Sequence, residues 1–259
     1  MRAFFVGAAV ACVLGSLPAA AKVKTEVVEY KDGDVVLEGV LAYDDASKDK
    51  RPGILVVHDW MGSGAFSTKK AEDLAALGYV ALAADVYGKG VRPKDGKEAA
   101  ALAGKYKGDR ASLRKRVGAA WDVLARHALV DSKRTAAMGF CFGGTAALEL
   151  MRSGAPLKGV VTFHGGLDAP LAPAKGLKAR VLVLHGADDP FVKPAEVAGF
   201  EEEMRYLQLD WQLVKYGNAV HAFTNPEAGN DNSKGAAYNH HADQRSWLAM
   251  RDFFEEVLR

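Results

Sequence analysis

Several short runs of this chain are apolar from end to end. Gly53-Ile54-Leu55-Val56-Val57, Gly78-Tyr79-Val80-Ala81-Leu82-Ala83-Ala84 and Val181-Leu182-Val183-Leu184 show no polar alternation. A strand with one wet face alternates, so these runs read as strands buried on both faces. Lys158 to Phe163 joins them, and Asp210 to Tyr216 reads as the last strand. Helical stretches lie between them at Thr68 to Leu77, Lys97 to Lys107, Arg110 to Ala128 and Glu196 to Leu207, with a closing helix from about Ala242 to Leu258. Leu113, Val117, Trp121 and Leu124 make one apolar stripe, and Trp247, Met250, Phe254 and Val257 make another. Alternating doubly buried strands and helices predict an α/β fold with a mostly parallel central sheet and helices on both faces. Thr25 to Tyr30 and Val35 to Ala42, joined at Asp32-Gly33, predict an antiparallel N-terminal hairpin. No repeat or long Pro/Gly linker divides the chain, so residues 22–259 read as one domain.

In such sheets the chemistry lies beyond the carboxyl ends of the strands. One such end carries Gly139-Phe140-Cys141-Phe142-Gly143-Gly144, after the strand-like Thr135 to Met138 and before the helix formers Thr145 to Met151. This is G-x-C-x-G on a strand-to-helix turn, the nucleophile-elbow pattern with sulfur in place of a hydroxyl. The glycines leave room for a strained turn, and a helix N-terminus favours thiolate. The blander alternative is a small buried hydrophobe in tight helix–strand packing.

The N-terminus reads as a secretory signal. Met1-Arg2 is a positive start, Ala3 to Leu17 an apolar core, and Pro18-Ala19-Ala20-Ala21 offers cleavage after Ala21. The core is shorter than the ~20 residues a membrane span needs, so a retained anchor is the lesser reading. So is a lipoprotein cut before Cys12, which would halve the apolar core. The expected location is the periplasm. The chain has two cysteines, and Cys12 would leave with the leader. The remaining thiol, Cys141, would then have no internal disulfide partner in an oxidising compartment. Net charge is +2, with no basic stripe, which argues against a nucleic-acid partner. With the leader gone, no membrane contact is expected.

A thiol nucleophile needs a base, and the base an orienting acid. Asp188 or Asp189, after one strand, supplies the acid, and His221, after another, the base. The order nucleophile, acid, histidine is that of the α/β-hydrolase fold. His58, His164 and His185 also follow strands and read as turn residues bonded to backbone. His240 and His241, near Asp243, read as a solvated helix start rather than a metal site.

These segments together resemble the dienelactone hydrolase family. The likeness rests on the elbow, on Gly186-Ala187-Asp188-Asp189-Pro190-Phe191-Val192, and on His221-Ala222-Phe223. His58-Asp59-Trp60-Met61-Gly62 and Gly78-Tyr79-Val80 through Asp85-Val86-Tyr87 extend it. The resemblance implies Cys141 as nucleophile, His221 as base and Asp189 as acid. It implies backbone N–H groups of Trp60 and Phe142 as oxyanion donors, and Asp59 as a supporting carboxylate. Asp59 stands where dienelactone hydrolases proper have Glu, one methylene longer. Asn225 stands where they have an arginine for the substrate carboxylate, and their second arginine has no sure match between Val91 and Arg110. Without that clamp, the expected substrate is a small neutral or differently charged ester or lactone, cleaved without metal or organic cofactor. The alternatives are an exported, non-enzymatic ligand-binding protein on the same fold, and a thioesterase or peptidase.

Overall fold

The computed structural model describes residues 22–259; the expected leader, 1–21, lies outside the described residues. The elements are β1 (Val23–Asp32), β2 (Val35–Asp44), β3 (Arg51–Val57), α1 (Ala65–Ala76), β4 (Val80–Ala84), α2 (Gly96–Gly108) and α3 (Arg110–Arg126). They continue with β5 (Val130–Phe140), α4 (Phe142–Arg152), β6 (Gly159–Phe163), β7 (Arg180–Gly186), α5 (Pro194–Tyr206), β8 (Trp211–Tyr216) and α6 (His240–Val257). The strands form one eight-stranded sheet in the order β1-β2-β4-β3-β5-β6-β7-β8. β1 pairs antiparallel with β2 and β2 with β4, and every other pairing is parallel.

The unbroken apolar runs follow from this layering. Along β3, Leu55 and Val57 join one core with α3, α4 and α5, while Ile54 and Val56 join the other with α1 and α6. Successive side chains point to opposite faces, so a strand covered on both sides cannot alternate with polar residues. The α3 stripe is buried through Leu113, Val117 and Leu124. Trp121 packs at its edge and donates its indole N–H to Thr135 Oγ1 at 3.3 Å. On α6, Met250 and Phe254 are buried as expected, Trp247 and Val257 are half-buried, and Phe253 is an additional core residue.

Three local expectations shift. The hairpin pairs Asp32 with Val35, so the turn residues are Gly33-Asp34, with Gly33 at φ +58°. β5 begins at Val130, well before Thr135. After Val130, which pairs with Arg51, its stretch Asp131 to Arg134 is a polar extension paired only through Asp131, with Pro52, and hydrophobicity does not reveal it. The segment 220–239, read as loop, holds two short 3-10 turns, Pro226–Ala228 and Asn232–Lys234. It is tied back by Asn239 N–H to Phe223 O (3.0 Å) and by the side-chain amides of Asn232 and Asn239, both to Asn218 O (3.0 Å).

Candidate active site

Cys141 is the single residue between β5 and α4. Its φ is +53° with ψ −116°, a conformation that costs a non-glycine residue on the order of 1–3 kcal/mol. The neighbouring glycines permit the turn. A Cβ on Gly139 would run into the carbonyl oxygen of Gly143, and a Cβ on Gly143 into those of Val57 and His58. The strained residue is locked by Cys141 N–H to Phe163 O (3.0 Å) and Gly144 N–H to Cys141 O (3.0 Å). The thiol thus stands at the first turn of α4, where free N–H groups favour negative charge.

Asp189 follows β7 with its carboxylate fully enclosed. Oδ2 takes His221 Nδ1–H at 2.8 Å, and Oδ1 takes the N–H groups of Phe191 (2.8 Å) and Val192 (3.4 Å). Asp188 is exposed and anchors only through its N–H, to Ala219 O at 3.0 Å. Of the two adjacent aspartates, only the second reaches the imidazole. His221 is pinned by its backbone, with N–H to Gly235 O at 3.1 Å and Ala237 N–H to His221 O at 3.0 Å. Its ring and the Cys141 side chain line the same cavity. Burial pulls this imidazole down. The charge on Cys141 and the hydrogen bonds to Asp189 and Cys141 overcome that, and its pKa is pushed up to about 10.

Asp59 and Trp60 lie on the turn after β3. Asp59 Oδ1 accepts Met61 N–H at 2.8 Å, closing a local Asx turn. Asp59 borders the cavity containing Cys141, but among the described residues' hydrogen bonds it has none to the sulfur. Burial raises its pKa. The cavity has a volume of about 670 Å³ and aromatic walls formed by Trp60, Phe66, Phe140, Phe142 and Phe191. Neither Trp60 N–H nor Phe142 N–H meets a protein acceptor among the described residues.

The remaining histidines separate by partner. His58 bonds backbone as read, with Nδ1 to Asp59 O at 2.6 Å and Nε2 to Val86 N at 3.2 Å. His164 does not. Its Nε2 lies 2.8 Å from the Thr224 hydroxyl, it borders the cavity, and its ring meets His221 edge-on at 5.1 Å. The sequence marks it only as one more histidine after a strand. His185 is buried, with Nδ1 unpartnered among the described residues. His240 and His241 are exposed at the start of α6, which Asn239 caps by accepting Ala242 N–H at 3.1 Å. Among the described residues no three metal-ligating side chains converge.

Burial lowers the pKa of His58 to about 4 and that of His164 well below its ordinary 6.5. The unfolded chain takes up these protons near pH 6.5 and the folded chain only at lower pH, so the stability these two groups contribute is full above pH 6.5 and drains as pH falls toward 4. His58 alone accounts for about 3 kcal/mol of that loss. Urea melts at pH 7.5 and 4.5 are expected to show it, with the slope reduced in His58→Asn. A pH-independent midpoint would contradict it.

A family model described as the dienelactone hydrolase family matches residues 37–258. The chain belongs to the dienelactone hydrolase family. It is similar to a dienelactone hydrolase-like promiscuous phosphotriesterase from metagenomic libraries, with 41% identity, a TM-score of 0.87, and coverage of 92% of this chain and 99% of that one. A Bradyrhizobium protein carrying the name of a 2-oxo-3-(5-oxofuran-2-ylidene)propanoate lactonase is 32% identical over 183 residues, 66% of this chain and 73% of the relative. A ferulic acid esterase from Streptomyces cinnamoneus, at 17% identity and a TM-score of 0.70 over 94% of this chain and 92% of that one, shares the fold alone. The dienelactone hydrolase family makes this chain a hydrolase of the ester and lactone class. Against the dienelactone hydrolase pattern, Asn225 borders the cavity without a charge, and Glu227 borders it nearby.

Proposed function

We propose that this protein hydrolyses small neutral carboxylic esters or lactones through the Cys141 thiolate. His221 acts as proton carrier and Asp189 as its orienting acid. The observation that carries the reading is the position of His221, bonded to Asp189 through Nδ1 and lining one cavity with Cys141. The thiolate adds to the carbonyl carbon, and the carbonyl electron pair moves to oxygen, which rests on the N–H groups of Phe142 and Trp60. Collapse expels the alkoxide, which takes the His221 proton and leaves a thioester.

Acylation removes the negative charge that raised the imidazole. Burial then acts with less opposition, so His221 is left neutral and competent as a base. It takes a proton from water, the hydroxide adds to the thioester, and collapse returns the thiolate and releases the acid. One charge therefore serves both halves of the cycle: present, it keeps the proton on the histidine; absent, it lets the histidine accept one.

A second reaction is supported by the 41% identical phosphotriesterase. Its electrophile is also neutral, so the same thiolate would displace an aryloxide from phosphorus and water would then release a phosphodiester. We further propose export to the periplasm, on the pattern of residues 1–21.

The test is a panel of activated esters, lactones, thioesters, peptides and aryl phosphotriesters, run before and after iodoacetamide treatment. Hydrolysis of neutral esters or lactones is expected to lead the panel. It should vanish in proportion to the fraction of Cys141 alkylated, as mapped by peptide mass. Full activity after complete labelling would reject the mechanism. A thiol that labels no faster than a free cysteine, with no turnover, would favour the binding-protein alternative.

A further inference from the structure

A set of polar contacts around Trp60 has no part in the proton chemistry. His58, 1% exposed, lies just past β3. Val86 N–H can only donate, so the His58 Nε2 facing it at 3.2 Å carries a lone pair. The ring proton is therefore on Nδ1 and is given to the Asp59 carbonyl at 2.6 Å. That carbonyl belongs to the same peptide group as Trp60 N–H. In a planar trans peptide the two point in opposite directions. Drawing the carbonyl in toward His58 turns the N–H out. Gly62 N–H adds a second bond to the same oxygen at 3.2 Å.

The next peptide is held as well. Tyr87 donates its hydroxyl to the Trp60 carbonyl at 3.0 Å, and Met61 N–H donates to Asp59 Oδ1 at 2.8 Å. Both peptides flanking Trp60 are thus fixed by side chains, while Trp60 N–H itself has no protein acceptor among the described residues. The other candidate donor, Phe142 N–H, needs no such help, because α4 fixes its direction. Trp60 sits on an irregular turn with Gly62 at φ +88°. The two sides are packed as a unit. The Phe142 ring stacks on His58 at 5.7 Å and meets Tyr87 at 5.4 Å, and Tyr87 meets His58 edge-on at 4.8 Å.

We propose that His58 and Tyr87 are positioning residues that clamp the two peptides flanking Trp60 and so aim its N–H at the oxyanion. The proposal rests on the thiolate mechanism above, and its test separates the two. Ester hydrolysis develops an oxyanion; displacement of iodide from iodoacetamide by the same thiolate does not. Tyr87→Phe removes only the hydroxyl. Loss of a whole oxyanion donor costs about 10²–10³-fold in kcat, so a misaimed one is expected to cost on the order of 10-fold.

The expected result for Tyr87→Phe with p-nitrophenyl acetate is that fall in kcat, with KM and the Cys141 alkylation rate each within about twofold of wild type. His58→Leu is expected to lose more, and His58→Asn to recover most of it, because the Asn Nδ2–H overlays the Nδ1–H of histidine. Full kcat in Tyr87→Phe would overturn the proposal. So would alkylation falling in step with hydrolysis, which would mean that the site itself had come apart. If His58→Leu does not fold, Tyr87→Phe decides alone. If wild-type hydrolysis survives full alkylation of Cys141, the parent mechanism fails and the clamp with it, an outcome seen without any variant.

Discussion

Cys141→Ala is expected to lower kcat/KM for activated esters by on the order of 10⁴-fold or more, as loss of a nucleophile does elsewhere. The fold should survive. The thiol sits on a turn whose shape is set by Gly139, Gly143 and the bonds to Phe163 and Gly144, none of which uses sulfur. Substrate binding should survive too, since the cavity walls are aromatic and unchanged. Cys141→Ser is the sharper variant. It keeps size and position but presents a neutral hydroxyl, so the charge that holds the His221 pKa near 10 disappears. His221 becomes an ordinary buried base and must deprotonate serine in the rate-limiting step. Activity intermediate between wild type and alanine is expected, with a new ascending limb in the pH–rate profile as the freed imidazole loses its proton. Steady-state kinetics against pH for the three proteins would check this. Alanine activity within tenfold of wild type would rule out Cys141 as the nucleophile.

How much of this was legible in advance depended on whether the signal was local. Doubly buried strands are written in composition, because a strand covered on both faces has no wet side to encode. The elbow is written in spacing, because only glycine tolerates the approach of Gly139 to Gly143 and of Gly143 to the carbonyls of Val57 and His58. Asp189 and His221 follow strand ends, so a parallel sheet brings them to one edge. What stayed hidden depended on contacts between distant segments. Asp188 and Asp189 were separable from the residues alone only by which one β7 and the next turn aim inward. His164, read as bonded to backbone, instead meets Thr224 from a segment 60 positions away. Tyr87 was visible only as part of a resemblance, since nothing local says that its hydroxyl ends on Trp60 O. The least legible residues were in α4. Glu149 and Arg152 look like solvent-facing helix residues, yet neither is accessible.

That burial makes Glu149→Leu the largest expected stability loss outside the site, about 3–5 kcal/mol. Glu149 Oε2 accepts from Arg114 Nε at 2.7 Å, Oε1 accepts from Arg152 Nη1 at 3.1 Å, and Arg110 Nη1 lies 3.9 Å away. Arg152 also donates to Glu203 at 2.9 and 2.6 Å and to the carbonyls of Asp168 (3.0 Å) and Leu167 (2.9 Å). Arg110 grips Asp168 with two bonds of 2.8 and 2.7 Å. Three guanidinium groups thus face the carboxylates of Glu149, Glu203 and Asp168, and the cluster joins α4 to α3, α5 and the segment after β6. Removing Glu149 leaves an uncompensated positive charge where water does not reach. Arg110 Nη1, already without a hydrogen bond, loses the carboxylate 3.9 Å away. For a chain of this size the loss corresponds to a fall in Tm of roughly 10 °C. Glu149→Gln separates charge from shape. It fills the same space, but its amide N–H₂ would face guanidinium donors, so a loss approaching that of leucine is expected. Thermal melts and urea titrations of both variants supply the measurement. A glutamine variant within about 1 kcal/mol of wild type would show that shape rather than charge holds the elbow helix in place.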